Sequence, residues 1–246
     1  DTCAVERFDN TKTSVELFRK LVTGIREACG EEMYILGCIS PFLPYVGIAD
    51  GMRIGGDIFS AWSPVHMEML SKKFPGSSYF NHVYWENDPD VFIVRDFDTD
   101  LTYSEVLSVT LMQALTGGIS GNSSPIHLIS GQRRKLLEFV IPTAKHVPVS
   151  YPFLNQSTRE LCMLYKENGK GALYFFNPTE QSVIKEYNLS EILGLEQFYI
   201  FDYNKNEQGK YPGGSNFIEI PPRGGRLIFF NEEEEITKCP ENIWYQ

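Results

Sequence analysis

The chain changes character once, between Pro148 and Asn155, and this limits it to folds that join two kinds of layer. Before that point, segments with helical periodicity alternate with short apolar runs. After it, the apolar runs are brief, closely spaced and bounded by turns.

In the first part, Thr13-Ser14-Val15-Glu16 is a capping-box pattern, with Thr13 at the N-cap. Val15, Phe18, Val22, Ile25 and Cys29 follow at three- and four-residue intervals, and Gly30 closes an amphipathic helix. Residues 34–38 predict a short buried strand, and 66–74 a helix stopped by Pro75-Gly76. Tyr84-Trp85 and the apolar run 91–94 flank Asn87-Asp88-Pro89-Asp90, a strand with a polar interruption. Thr102-Tyr103-Ser104-Glu105 opens a second capped helix that runs to about Thr116, before Gly117-Gly118. Residues 119–124 read as a last short strand and 133–139 as another helix. Strands alternating with helices, with polar loops after the strands, predict a parallel α/β arrangement.

In the second part the runs are 161–165, 172–176, 198–202, 217–220 and 226–230, with turns at Glu167-Asn168-Gly169 and Pro212-Gly213-Gly214. They predict an antiparallel β-sandwich. The acidic run 232–235 reads as a solvated edge.

The stretch Ala49-Asp50-Gly51-Met52-Arg53-Ile54-Gly55-Gly56-Asp57, with Trp62 beyond it, carries the clearest chemistry. If it is extended, Arg53 and Asp57 share one strand face about 13 Å apart, enough to flank a sugar ring. The paired glycines leave room for a bulge or a close ligand.

Composition narrows the ligand. The net charge of −10 disfavours nucleic acid and suits a neutral or polar molecule such as a carbohydrate. A hydrophobic content of 42% is enough for a real core. No apolar run is long enough for a membrane span, and none resembles a signal peptide. The chain begins at Asp1 rather than Met, which leaves room for a preceding segment. The cysteines Cys3, Cys29, Cys38, Cys162 and Cys239 are odd in number and lack metal-ligand spacing; they read mostly as free thiols and leave the compartment open. His66, His82, His127 and His146 share no spacing that would hold a metal.

Four blocks carry a resemblance to a known family: Gly37-Cys38; Asp50 to Asp57 with Trp62; Asn87-Asp88-Pro89-Asp90; and Leu101-Thr102 through Glu105 and Ala114-Leu115 to Gly117-Gly118. In order and spacing they resemble the melibiase-type α-galactosidases of glycoside hydrolase clan D, including their bacterial and raffinose-synthase-like relatives. The resemblance covers roughly residues 1–150.

It implies the second half of a (β/α)8 TIM-type barrel over 1–152 and the β-sandwich over 153–246. It also implies hydrolysis of α-galactosides with retention, by double displacement between two carboxylates. Asp57 matches the family's acid/base aspartate and Arg53 its sugar-hydroxyl contact. Cys38 matches a cysteine bordering the sugar pocket. Asp1, followed by Thr2-Cys3, matches the nucleophile of a K-x-D motif whose lysine lies ahead of the chain. The sequence departs from the family at Ser120-Gly121-Asn122-Ser123, where relatives often carry an acidic residue.

No cofactor or metal is implied. The implied partners are an oligosaccharide or glycoside, with neither nucleic acid nor membrane. A complete barrel needs about 250 residues, so an N-terminal half or an oligomer partner is implied as well. Without that completion, the chain reads as an inactive fragment or carbohydrate-binding remnant.

Read from the residues alone, several roles stay open. Asp57 also reads as a helix cap, Arg53 as a structural ion-pair partner, Cys38 as a small buried hydrophobe, and Asp1 as a chain terminus. Asp50 reads as a cap or a ligand contact, and Trp85 as a core residue or a stacking platform. Asp88 and Asp90 share a strand face and read as a carboxylate pair or, favoured because Pro89 lies between them, as residues of a turn that orders the loop.

Overall fold

The computed structural model describes residues 9–141, 149–211 and 214–245. It is a mixed α and β structure in which short parallel ladders are followed by antiparallel sheets.

Helix α1 (Ser14–Cys29) starts at the expected capping box, where Thr13 accepts from Glu16 N–H and Glu16 accepts from Thr13 N–H. Only Phe18 and Val22 of its apolar stripe are buried; Val15 and Ile25 stay exposed. Strands β1 (Leu36–Gly37), β2 (Gly51–Arg53) and β3 (Glu86–Asp88) form one parallel ladder in that order. The strand expected over 34–38 is thus two residues long, and Leu36 is 43% exposed rather than buried. It lies at the edge of its ladder among the described residues, so only one side of it is covered.

Helix α2 (Pro64–Ser77) has Ser63 as its N-cap and continues through Pro75-Gly76 instead of stopping there. Pro75 sits in the last turn, where its missing N–H costs a single bond. Strands β4 (Val91–Phe92) and β5 (Gly121–Asn122) form a separate parallel pair. Between β3 and β4 the chain turns at Asp90, which has a positive φ of 76°. The parallel strands therefore lie in two ladders and not in one continuous wall.

Helix α3 (Tyr103–Ala114) carries the second capping box, and α4 (Gly131–Val140) starts at Ser130. Past the α3 C-terminus, Ile119 N–H donates to Asn87 O at 2.8 Å. This approach requires glycine at 118, where a Cβ would stand 1.9 Å from that same oxygen.

The remaining strands are β6 (Val149–Ser150), β7 (Leu161–Glu167), β8 (Lys170–Asn177), β9 (Val183–Asn188), β10 (Phe198–Asp202), β11 (Glu207–Tyr211), β12 (Ser215–Ile220) and β13 (Gly224–Asn231), with a short helix α5 (Leu189–Leu193). Six of them form an antiparallel sheet in the order β11-β10-β13-β8-β7-β6, and β12 pairs with β9. Period-two alternation divides the sheet between two cores. Met163, Tyr165, Tyr174, Phe176, Leu227 and Phe229 join the core formed with α2, α3 and α4. Cys162, Leu164, Leu173, Phe175, Ile228 and Phe230 pack with Tyr187, Ile218 and Ile220 of β9 and β12. Both faces are buried, which explains the continuous apolar runs in β7, β8 and β13.

Candidate active site

Arg53 is the last residue of β2, the central strand of its ladder. The pairing extends one step further, as Ile54 N–H donates to Asp88 O at 3.0 Å. The chain then passes close to α2 at Gly55, where a Cβ would meet Leu70 Cδ2 at 2.8 Å and Phe74 at 3.1 Å. The segment is thus not extended through Asp57. It bends at Gly55, and Arg53 Nη1 lies 3.3 Å from Asp57 Oδ1.

Three carboxylates surround the Arg53 guanidinium. Besides Asp57, Asp88 Oδ2 accepts from Nε at 2.8 Å, and Asp90 Oδ1 lies 2.8 Å from Nη2. The environments differ sharply: the Asp88 and Asp90 side chains are 6% and 8% exposed, and that of Asp57 is 68% exposed. Burial works against the charge on Arg53, but the hydrogen bond to Asp88 and the fields of Asp88 and Asp90 outweigh it and hold its pKa above the usual arginine value. Arg53 is therefore a fixed cation with one N–H arm turned toward the exposed aspartate.

That arm opens into a cleft of about 1000 Å³. Cys38, Arg53 and Asp57 all line it, with His66 and Lys73 of α2 and the aromatic residues Phe42 and Phe80. The structure thus brings three of the four residues singled out in the sequence to one cavity. The fourth, Asp1, lies outside the described residues. Cys38 is an exposed free thiol. His66 packs its ring on Phe59 at 4.8 Å, and its buried Nε2 has no partner among the described residues.

The neighbouring residues resolve into structural roles. Asp57 does not cap α2, since Ser63 does. Asp50 accepts from Ile35 N–H at 2.7 Å and pairs with Arg26 of α1. Burial raises its pKa, but the Ile35 and Arg26 bonds outweigh that and hold its carboxyl below the usual range. Trp85 is 4% exposed, donates to Asn87 Oδ1 and packs between Phe42 and Phe80, so it is a core residue. Trp62 packs against Phe176 of β8.

The sequence suggested that Asp88 and Asp90 form a turn, but Asp88 ends β3 and only Asp90 lies in the bend that follows; their grip on Arg53 was missed. The signal was present as two carboxylates two residues apart; their target lies 35 residues upstream of Asp88, beyond any local pattern.

No family model matches the chain. The fold, however, is shared with a class of carbohydrate-cleaving enzymes. A β-L-arabinopyranosidase of glycoside hydrolase family 27 from Geobacillus stearothermophilus superposes with a TM-score of 0.71 at 12% identity, over 92% of this chain and 55% of that one. The α-galactosidase I of Mortierella vinacea gives 0.68 at 13% identity, over 88% of this chain and 62% of that one. An α-galactosidase from Saccharomyces cerevisiae, solved with raffinose, gives 0.64 at 12% identity, over 89% and 68%. At these identities the likeness is one of fold. The chain spans about half the length of the first of these relatives.

Proposed function

We propose that this chain is part of a retaining glycoside hydrolase acting on α-galactosides, and that residues 1–152 supply the second half of its (β/α)8 barrel. The observation that carries the reading is the Arg53–Asp57 pair: a half-buried, doubly anchored guanidinium beside an exposed carboxylate in one cleft. The shared fold of the family 27 enzymes supports it.

In this mechanism Asp57, as a carboxylic acid, gives its proton to the glycosidic oxygen while the Asp1 carboxylate attacks the anomeric carbon. The bond to the leaving group breaks, the leaving group departs as an alcohol, and the sugar is held as an ester of Asp1. Asp57, now a carboxylate, takes a proton from water, whose oxygen attacks the anomeric carbon and frees Asp1. The Arg53 arm that meets Asp57 donates to a sugar hydroxyl when substrate enters, and Cys38 borders the ring.

One observation favours a second reading, a carbohydrate-binding remnant that acts only with a further barrel half. Around β1, Tyr34, Leu36, Ile39 and Leu43 are exposed by 43–89%, an apolar edge that a completing body would cover.

Hydrolysis of an aryl α-galactoside by the chain and by Asp57→Asn decides between them. The expected result is turnover by the chain, and a rate lower by about 10²–10⁴ in the variant. Equal rates in both would remove Asp57 from the acid/base role. No turnover in either, with retained binding of galactose, would favour the remnant.

A further inference from the structure

Asp90 stands behind the cleft and not in its lining, yet its carboxylate touches both carriers of the site. Oδ1 lies 2.8 Å from Arg53 Nη2. Oδ2 accepts from Ile58 N–H at 2.6 Å, and Ile58 is the residue after Asp57. We propose that Asp90 is the positioning residue for the acid/base aspartate, fixing through one carboxylate both the arginine that faces Asp57 and the backbone on which Asp57 sits.

The surroundings hold Asp90 in place for this task. Its φ of 76° lies in the left-handed region, uncommon for a residue with a side chain. Its own N–H donates to Asp88 Oδ1 at 2.8 Å. The buried Gln113 of α3 clamps the turn from the other side, with Nε2 donating to Pro89 O at 3.2 Å and Val91 O at 3.1 Å. An uncommon conformation held by three independent bonds is what places a carboxylate between two targets some 32 and 37 residues away in sequence. The neighbouring Asp88 carboxylate accepts from Arg53 and from Asp90 N–H, whereas Ile58 N–H donates to Asp90, so the two aspartates are not equivalent.

The inference rests on reading Asp57 as the acid/base. Three variants test it: Asp90→Ala removes both links, Asp90→Asn keeps an oxygen for Ile58 N–H but loses the charge facing Arg53, and Asp202→Asn is a control. Asp202 is an equally buried aspartate paired with Arg226 in the antiparallel sheet, with Oδ2 2.7 Å from Nε. The expected result is a fall in kcat of about 10²-fold for Asp90→Ala, since a displacement of an ångström at a reacting group costs that much, with a smaller rise in KM. Asp90→Asn recovers part of the loss. Asp202→Asn loses thermal stability and keeps kcat.

An Asp90→Ala or Asp90→Asn enzyme with wild-type kcat would overturn the proposal. If Asp90→Ala does not fold, Asp90→Asn carries the test. If the wild-type chain hydrolyses no α-galactoside, the function reading fails separately, and nuclear magnetic resonance still decides the positioning. Faster exchange of the Ile58 amide and a displaced Asp57 carboxyl signal in the Asp90 variants would support it; unchanged signals at both would overturn it.

Discussion

Arg223 Nη1 lies 3.1 Å from Glu105 Oε1, which ties the turn between β12 and β13 to the first turn of α3. The other oxygen of Glu105 completes the capping box by accepting from Thr102 N–H at 2.8 Å and from Thr102 Oγ at 2.9 Å. Burial raises the Glu105 pKa, but these bonds and Arg223 outweigh it and hold the carboxyl below its usual value. A carboxyl depressed in the folded state stabilises above its unfolded pKa, and that contribution is lost as pH falls through the folded value. Glu105→Gln should therefore lower stability at pH 7 by about 1–2 kcal/mol, or about 2–8 °C in Tm. The difference should shrink steadily below about pH 4. Thermal unfolding of both proteins from pH 7 to pH 3 checks this; a gap that stays constant with pH would rule out the ionised carboxylate as its source.

Helices α2, α3 and α4 share a core with the six-stranded sheet, so they should unfold together with it. Phe229 of β13 is fully buried and meets Phe139 of α4 at 6.2 Å, edge to face. The Tyr174 hydroxyl of β8 donates to Ser108 O of α3 at 2.6 Å, and burial pushes its pKa well above the usual phenol value. Phe229→Ala should cost about 3–5 kcal/mol and move the whole calorimetric transition down by on the order of 10 °C. Two resolved transitions, with only the later one moved, would mean that the seam is not a shared core.

What could be read in the sequence was local, and what could not was distant. Both capping boxes join residues three apart, so Thr13 with Glu16 and Thr102 with Glu105 were visible as patterns and form as expected. The apolar runs of β7, β8, β10 and β13 were legible because both faces of those strands are largely buried, and β12 was legible through its own apolar residues although Phe217 on its outer face is exposed. Strand β9 was missed: Lys185 and Glu186 interrupt it, since one face meets solvent. Strand β11, at the edge of its sheet with the sequence EQGKY, carries almost no apolar signal. At the site, the four-residue spacing of Arg53 and Asp57 put them on a common face but not 3.3 Å apart; that distance depends on the turn at Gly55 against Leu70, a tertiary contact.

Two of the tightly packed glycines, Gly118 and Gly55, should behave differently. At Gly118 a Cβ would meet backbone, the Asn87 carbonyl oxygen at 1.9 Å, and nothing flexible can give way. At Gly55 the nearest atom is the end of a leucine side chain, at 2.8 Å. Gly55→Ala should therefore fold with a cost of about 1–3 kcal/mol, and Gly118→Ala should cost more or fail to fold. Denaturant unfolding ranks them; a Gly118→Ala protein as stable as Gly55→Ala would show that the β3–Gly118 approach is not a close one.

Stability and activity should separate at the Arg53 cluster according to exposure. The Asp57 side chain is 68% exposed, so its ion pair with Arg53 contributes about 0–1 kcal/mol. Asp57→Asn should keep Tm within about 3 °C of the parent while lowering turnover by about 10²–10⁴. Arg53→Gln removes the cation that pairs with Asp88 and Asp90, whose side chains are 6% and 8% exposed, and leaves two buried carboxylates without it. That should cost about 3–5 kcal/mol, the usual result of leaving buried carboxylates without their cation. Denaturant titration of the two variants side by side gives the comparison. If Arg53→Gln proves as stable as Asp57→Asn, then the buried carboxylates do not depend on Arg53, and the guanidinium is not the fixed cation of the cleft.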